Sequence, residues 1–221
     1  MPTSTQKGAV SVSETMPIAR SPIPPVPPVT VEHGWEISVR RSDAELRIMD
    51  CTPLAKVLVQ ASMHGEAANT LGLHFGRAAR DELGTLIIGS APGEWLLLSA
   101  PGTAAEVVEK AERIPDEGLV SVFDATHGRA LVRITGARAA DLLGKVCAID
   151  LSGEITPDRA AFRSSVAKVV TDIVREDRDG ELSYLLHCER SLGQFLFGAL
   201  LDAGEEFGIE IEGFAAQESE G

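Results

Sequence analysis

The sequence predicts an α+β fold built from two pseudo-repeated β-α-β-β-α halves, each an antiparallel sheet with helices on one face. Three observations predict it. Apolar residues alternate with period two in several short runs, separated by runs of helical period. The same order of runs occurs twice after about Leu46. Turn residues also fall where hairpins need them, at Ala91-Pro92-Gly93 and at Arg178-Asp179-Gly180. The implied boundaries are a disordered Pro-rich tail at 1–30, a first half at 31–116, a second half at 117–214 and an acidic tail at 215–221.

In the first half, "PLAKVLVQA" alternates as a strand and "GEAANTLGL" follows as a short helix. "GTLIIGSAPGEWLLLSA" reads as two strands about a turn. "PGTAAEVVEKAERI" is a helix with Thr103 placed to cap it. In the second half a short strand, "LVSVFD", leads into "RALVRIT", a strand, and "GARAADLLGKV", a helix. "AKVVTDIVRED" and "GELSYLLHC" form a hairpin. "RSLGQFLFGALLDAGEEFG" closes as a long helix whose buried stripe is predicted to be Leu192, Phe195, Leu196, Ala199, Leu200 and Ala203. Phe197 and Leu201 widen that stripe and become candidates for a contact with a partner chain.

Charge and composition exclude several function classes. The net charge is −13, and eight acids against one base after Cys188 place −7 of it in the last 33 residues. Such a chain is repelled by phosphate backbones and anionic lipid, which argues against nucleic-acid and membrane partners. No apolar run approaches the ~20 residues of a membrane span, and no secretory apolar region opens the chain. Cys51, Cys147 and Cys188 are widely spaced without CxxC, as expected of free thiols in the cytoplasm. The five histidines lack metal-site spacing, so no metal site is expected in this chain.

Few residues invite chemistry. In Arg129–Thr135, Arg129 and Arg133 share one strand face with Leu131 and Thr135, where they could bind a carboxylate or a partner's acidic patch, or simply lie in solvent. Gly136 follows, read as a point of backbone freedom. His127 stands in a turn with Asp124 and Thr126, residues that more often bond their own backbone than act as bases. Asp172 interrupts "VVTDIV"; buried among valines, it would have a raised pKa suited to proton transfer. No dinucleotide fingerprint, phosphate loop or nucleophile–base pairing occurs, so neither a catalytic nor a cofactor-binding residue is assigned.

Three stretches, "SVFDATHGRALVRITGARAADLLGKVCAIDL", "RAAFRSSVAKV" and "ERSLGQFLFGALLDAGEEFG", resemble the gamma subunit of heterotetrameric sarcosine oxidase, as does "GSAPGEWLLLSAPG" around its Trp. The resemblance spans about Leu46 to Gly208. More remotely, the same core resembles the folate-binding aminomethyltransferase fold. The family resemblance implies a structural subunit within a complex that oxidatively demethylates sarcosine to glycine, makes peroxide and passes a one-carbon unit to tetrahydrofolate. It implies alpha, beta and delta partner subunits, with FAD, FMN, NAD, tetrahydrofolate and zinc held by those partners. Aminomethyltransferases carry paired aspartates where this chain reads "VTDIV", so Asp172 alone could stand in for their carboxylate. The alternative it would serve is a stand-alone folate-binding or aminomethyl-transfer protein.

Overall fold

The computed structural model describes residues 17–115 and 118–214. The chain enters as β1 (Ala19–Arg20), then β2 (Val29–Glu32) and β3 (Trp35–Ser38), which form a small three-stranded sheet. The first half follows as β4 (Leu46–Asp50), β5 (Ala55–Gln60), α1 (Glu66–Leu71), β6 (Ala78–Arg80), β7 (Leu86–Ala91), β8 (Glu94–Ser99) and α2 (Ala104–Glu112). The second runs β9 (Ser121–Asp124), β10 (Arg129–Gly136), α3 (Ala139–Gly144), β11 (Ala161–Val166), β12 (Val169–Arg175), β13 (Ser183–Glu189), α4 (Gly193–Gly204) and β14 (Glu210–Glu212). The first half thus gains β4 and β6 over the predicted strands, and the second gains β11 and β14.

The two large sheets exchange their leading strands. One sheet has the order β6-β7-β8-β5-β9 and the other β11-β12-β13-β10-β4-β14. β4, which opens the first half, pairs with β10 of the second; β9, which opens the second, pairs with β5 of the first. The ladders are antiparallel apart from β14 on β4 and β1 on β3. At each crossing stands an Asp-x-Thr turn. The Asp50 carboxylate accepts from the Thr52 amide at 2.9 Å, and the Asp124 carboxylate from the Thr126 amide at 2.9 Å. The Thr52 hydroxyl then accepts from the Leu131 amide, and the Thr126 hydroxyl from the Lys56 amide. Each half's turn therefore satisfies backbone of the other half's central strand, where no ladder partner is left.

The sheets stack face to face with helices outside, giving layers in the order helix, sheet, sheet, helix. Leu86, Ile88, Leu96 and Leu98 of one sheet meet Leu131, Val174 and Leu185 of the other, with Trp35 and Ile37 closing one side. Outside, α2 covers Val57, Val59, Trp95 and Leu97. α3 and α4 cover Ile48, Val132, Ile134, Ile173 and Leu186. Gly136 serves both for its φ of +136° and for close approach: a Cβ there would lie 1.9 Å from the Glu45 carbonyl oxygen.

Four expectations need correction. The closing helix buries Gly193, Leu196, Phe197, Leu200 and Ala203, while Leu192 and Phe195 are exposed. The stripe is set by α4 starting at Gly193, which turns Phe197 inward beside Leu196; each such burial contributes ~1.5–3 kcal/mol. Thr103 does not cap α2 through its side chain; its hydroxyl donates to the Ala100 carbonyl and meets Ser99 Oγ. Residues 17–30 are not a disordered tail: β1 pairs with β3, and Ile23 lies 3% exposed in the core under α4. Residues 1–16 and the acidic tail at 215–221 lie outside the described residues. Finally, the inner face of β10 is not solvated, because the β6-β7-β8-β5-β9 sheet covers it.

Candidate functional site

The polar residues of the inter-sheet layer gather along one strand. β12 and the residue after it place Asp172 and Glu176 four apart, hence on one face, looking toward the first sheet. Pairing across β12 selects their partners. Arg163 on β11 and His187 on β13 both stand opposite Asp172 in register.

Asp172 is clasped from both sides. Arg163 forks it with Nε at 2.6 Å and a terminal nitrogen at 3.1 Å, and His187 Nδ1 lies at 3.3 Å. A carboxylate only accepts, so Nδ1 carries the proton and Nε2 is bare. Nε2 is buried without a hydrogen-bond partner. Burial alone would push the Asp172 carboxyl up, but the hydrogen bonds of His187 and Arg163 and the Arg163 charge outweigh it and hold the group below its ordinary range. Burial holds the His187 imidazole below its ordinary value, with Asp172 pulling the other way. The cleft here is lined by Ile88, Ser90, Leu96, Leu131, Phe162 and Leu185 besides the pair, and its cavity is about 10 Å³. That is room for one water, not for a ring system.

Glu176 sits at the other end of the same face, 1% exposed, under three arginines. Arg133 reaches it at 2.6 Å, Arg80 at 2.8 Å and Arg159 at 3.1 Å. Arg133 also donates to Ser183 Oγ at 2.8 Å. Burial pushes Glu176 up; the Arg133 charge and hydrogen bond, then Arg80 and Arg178, reverse the direction. Beside this cluster a cavity of about 250 Å³ opens between Arg80, Arg133, His33 and Ser99, floored by Leu54, Leu86, Leu98 and Leu185.

Lys56 is wholly buried at the strand exchange. Its ammonium donates to the carbonyls of Thr52 (2.7 Å), Leu54 (2.8 Å) and Thr126 (3.3 Å), so it ties the two Asp-x-Thr turns together. Desolvation, offset in part by Asp50, lowers its pKa from 10.5 to about 8. Burial raises the Asp50 carboxyl, against hydrogen bonds from Ser21 and Thr52.

The residues singled out in the sequence fall apart in space. Arg133 is 5% exposed and engaged with Glu176, so it is not a contact for another chain. Arg129 is half-buried. Phe197 is 7% exposed in the core and Leu201 packs half-buried against it. The exposed apolar residues of this helix are instead Phe195 (58%) and, just before it, Leu192 (41%). Asp172 lies on the inner face, but its carboxyl is shifted down, not up, because its neighbours across the ladder are Arg163 and His187 and not valines alone. His127 stacks on Trp35 with ring centroids 4.9 Å apart, while Asp124 and Thr126 make their turn. Arg163, His187, Glu176, Arg80 and Lys56 carried no motif. Only the register of the β11–β12–β13 meander would have pointed to the first two. Among the described residues no cluster of three metal-ligating side chains occurs, and no helix is long and apolar enough to cross a membrane.

A family model described as the GCVT N-terminal domain matches residues 76–220. The chain is 25% identical over 122 residues to human (Homo sapiens) mitochondrial dimethylglycine dehydrogenase, covering 54% of this chain and 14% of that protein. It is 24% identical over 125 residues to the formaldehyde-forming 4-methylaminobutanoate oxidase of Paenarthrobacter nicotinovorans, covering 57% and 15%. It therefore spans about one seventh of the length of these curated relatives. Among solved structures, the heterotetrameric sarcosine oxidase of Corynebacterium sp. U-96, in complex with pyrrole 2-carboxylate, matches with TM-score 0.65 and 20% identity over 76% of this chain and 87% of that one. The glycine cleavage system aminomethyltransferase T of Bartonella henselae matches with TM-score 0.65 and 16% identity over 86% and 57%. The α+β, aminomethyltransferase-like fold expected from the sequence is the fold found.

Proposed function

The chain belongs to the GCVT N-terminal domain family, and from that premise we propose that it is the gamma-type subunit of a heterotetrameric sarcosine oxidase, present for assembly and not for catalysis. In this reading the alpha, beta and delta subunits hold FAD, FMN, NAD, tetrahydrofolate and zinc. The complex oxidatively demethylates sarcosine to glycine, with oxygen reduced to peroxide and the one-carbon unit taken by tetrahydrofolate. The complex works in the cytoplasm.

One observation carries the reading. The carboxylate that would serve one-carbon chemistry, Asp172, is committed to Arg163 and His187, and the cavity before it is about 10 Å³. A pteridine needs a pocket tens of times larger, so the residues present do not fit a folate at this position. The partner contact falls on the exposed Phe195 and Leu192 rather than on Arg133 or Phe197.

The test is expression with and without the partner subunits. The isolated chain is expected to be colourless and to make no peroxide with sarcosine. With the partners present it should co-purify with a flavoprotein, and Phe195→Asp should weaken that association without changing the far-ultraviolet circular dichroism. Flavin absorbance or peroxide from the chain alone refutes the reading. The competing reading, a stand-alone folate-binding or aminomethyl-transfer protein, rests on family membership and on Asp172. Calorimetry with tetrahydrofolate decides: heat of binding that Asp172→Asn diminishes supports it, and no heat ends it.

A further inference from the structure

The arginine cluster at Glu176 has more positive charge than the fold uses. Arg80, Arg133 and Arg159 converge on one carboxylate. Arg159 has a second acid, Asp158, at 3.5 Å. Arg178, in the tight turn joining β12 to β13, is close enough to raise the local charge further. Burial first, then repulsion from Arg133 and Arg80, makes its guanidinium easier to deprotonate than usual. Among the described residues the Arg178 guanidinium makes no hydrogen bond or close ion pair, and Glu176 is the acid that attracts it. Four arginines thus face two acids in a chain whose net charge is −13. Two of these cations, Arg80 and Arg133, line a cavity, and the positive field of the cluster favours an anionic ligand there.

The cavity defines the rest of the ligand. Its wall is Arg80 and Arg133 with the Ser99 hydroxyl, while Leu86, Leu98 and Leu185 form its floor. Arg133 offers five N–H groups, of which three are accounted for by Glu176 and Ser183 and another faces the Cys51 thiol. Its remaining donor, with the unused donors of Arg80, suits a carboxylate. The volume of about 250 Å³ compares with the ~150 Å³ that holds a benzene molecule in an apolar cavity. A ring or short chain of similar size plus one carboxylate therefore fills it.

We propose that this cavity binds a small organic carboxylate, its acid group on Arg80 and Arg133 in the positive field to which Arg178 adds, and its apolar body on Leu86, Leu98 and Leu185. The site is separate from Asp172, whose cleft is closed, and it stands whether or not the chain assembles with flavoprotein subunits.

Benzoate is the probe, with benzamide as its neutral isostere and inorganic phosphate as an anion without an apolar body. Thermal unfolding and calorimetry on the full chain at low ionic strength are expected to show benzoate raising the melting temperature in a saturable way. Benzamide and phosphate should bind at least tenfold more weakly. Arg178→Gln, which breaks no hydrogen bond of the native fold, should weaken benzoate several-fold, and Arg80→Gln at least tenfold. Added salt at 0.5 M should weaken benzoate in the same direction. Equal binding of benzoate and benzamide overturns the assignment of the arginines. Equal binding of benzoate and phosphate overturns the assignment of the apolar floor. No benzoate binding, or binding unchanged in Arg178→Gln and Arg80→Gln, overturns the site itself. If Arg80→Gln fails to fold, Arg178→Gln alone decides.

Discussion

Asp172 and Glu176 sit four residues apart on one face of one strand segment, yet they meet different surroundings. Asp172 faces a cleft with no room and pairs with Arg163, half in solvent, and with a neutral His187. Glu176 faces a cavity and pairs with Arg133, which is buried, as well as Arg80 and Arg159. Both carboxyls are held below their ordinary pKa, against the pull of burial. The difference lies in what each partner does when its acid is neutralised. Arg163 can turn back to water. Arg133 cannot. A lowered pKa therefore marks a stability centre at Glu176 and only a local clasp at Asp172; in neither place does it mark a general base.

Removing the Glu176 charge is the sharpest way to test this contrast. Glu176→Gln leaves Arg133 buried without a counter-charge, and the expected loss is ~3–5 kcal/mol in urea unfolding. Asp172→Asn should lose only about 1 kcal/mol, because the Asn oxygen still accepts and Arg163 is exposed. Equal losses would show that burial of the partner is not what separates the two sites. Acid titration adds the sign. Both groups have folded pKa values below the unfolded ones, so their stabilisation is complete above about pH 5 and disappears as pH falls through the folded values. His187, also shifted down, works in the same direction below its ordinary 6.5. Glu176→Gln should flatten the acid limb more than Asp172→Asn does.

Lys56 extends the comparison to a buried charge held by carbonyls instead of a carboxylate. Its pKa falls from 10.5 unfolded to about 8 folded, a difference worth ~3 kcal/mol. The unfolded chain binds more protons between these values, so stability rises with pH above about 8. Cys51 and Cys188 oppose this, since burial raises both from 9.0 to about 11, which removes stability as pH climbs past 9. Stability measured by chemical denaturation is expected to climb from pH 8 to 9 and then turn down. Lys56→Met should abolish the rising part. A rising limb that survives in Lys56→Met would assign it to another group.

The sequence disclosed the elements better than their company. Alternation and turn residues placed β5, β7, β8, β10, β12, β13 and all four helices, since period and glycine are local properties. β4, β6, β11 and β14 are short or polar, so these strands went unread. The strand exchange was invisible for a different reason. "DCT" at 50–52 and "DAT" at 124–126 repeat the same turn, but which strand each turn caps depends on packing between halves. The face shared by Arg129 and Arg133 was legible from period two, while the facing β6-β7-β8-β5-β9 sheet that buries it was not. Asp172 was legible as odd. Arg163 and His187 depend on register, which follows from the turns on either side of β12.

Those two turns offer the smallest test. Both are two-residue loops with positive φ at each position. One is Asp179-Gly180 (52° and 82°), residue types that adopt this backbone readily; the other is Ala167-Lys168 (48° and 68°), which do not. The register of β11 on β12, and hence the meeting of Arg163 with Asp172, hangs on the second. Replacing Ala167 by Asn and Lys168 by Gly should stabilise the fold by about 1 kcal/mol without altering the Asp172 titration, read by nuclear magnetic resonance of the carboxyl carbon. If the pair instead shifted that titration, the strained turn would be setting the clasp on Asp172, and the local geometry of the first carboxylate would depend on its hairpin more than on its partners.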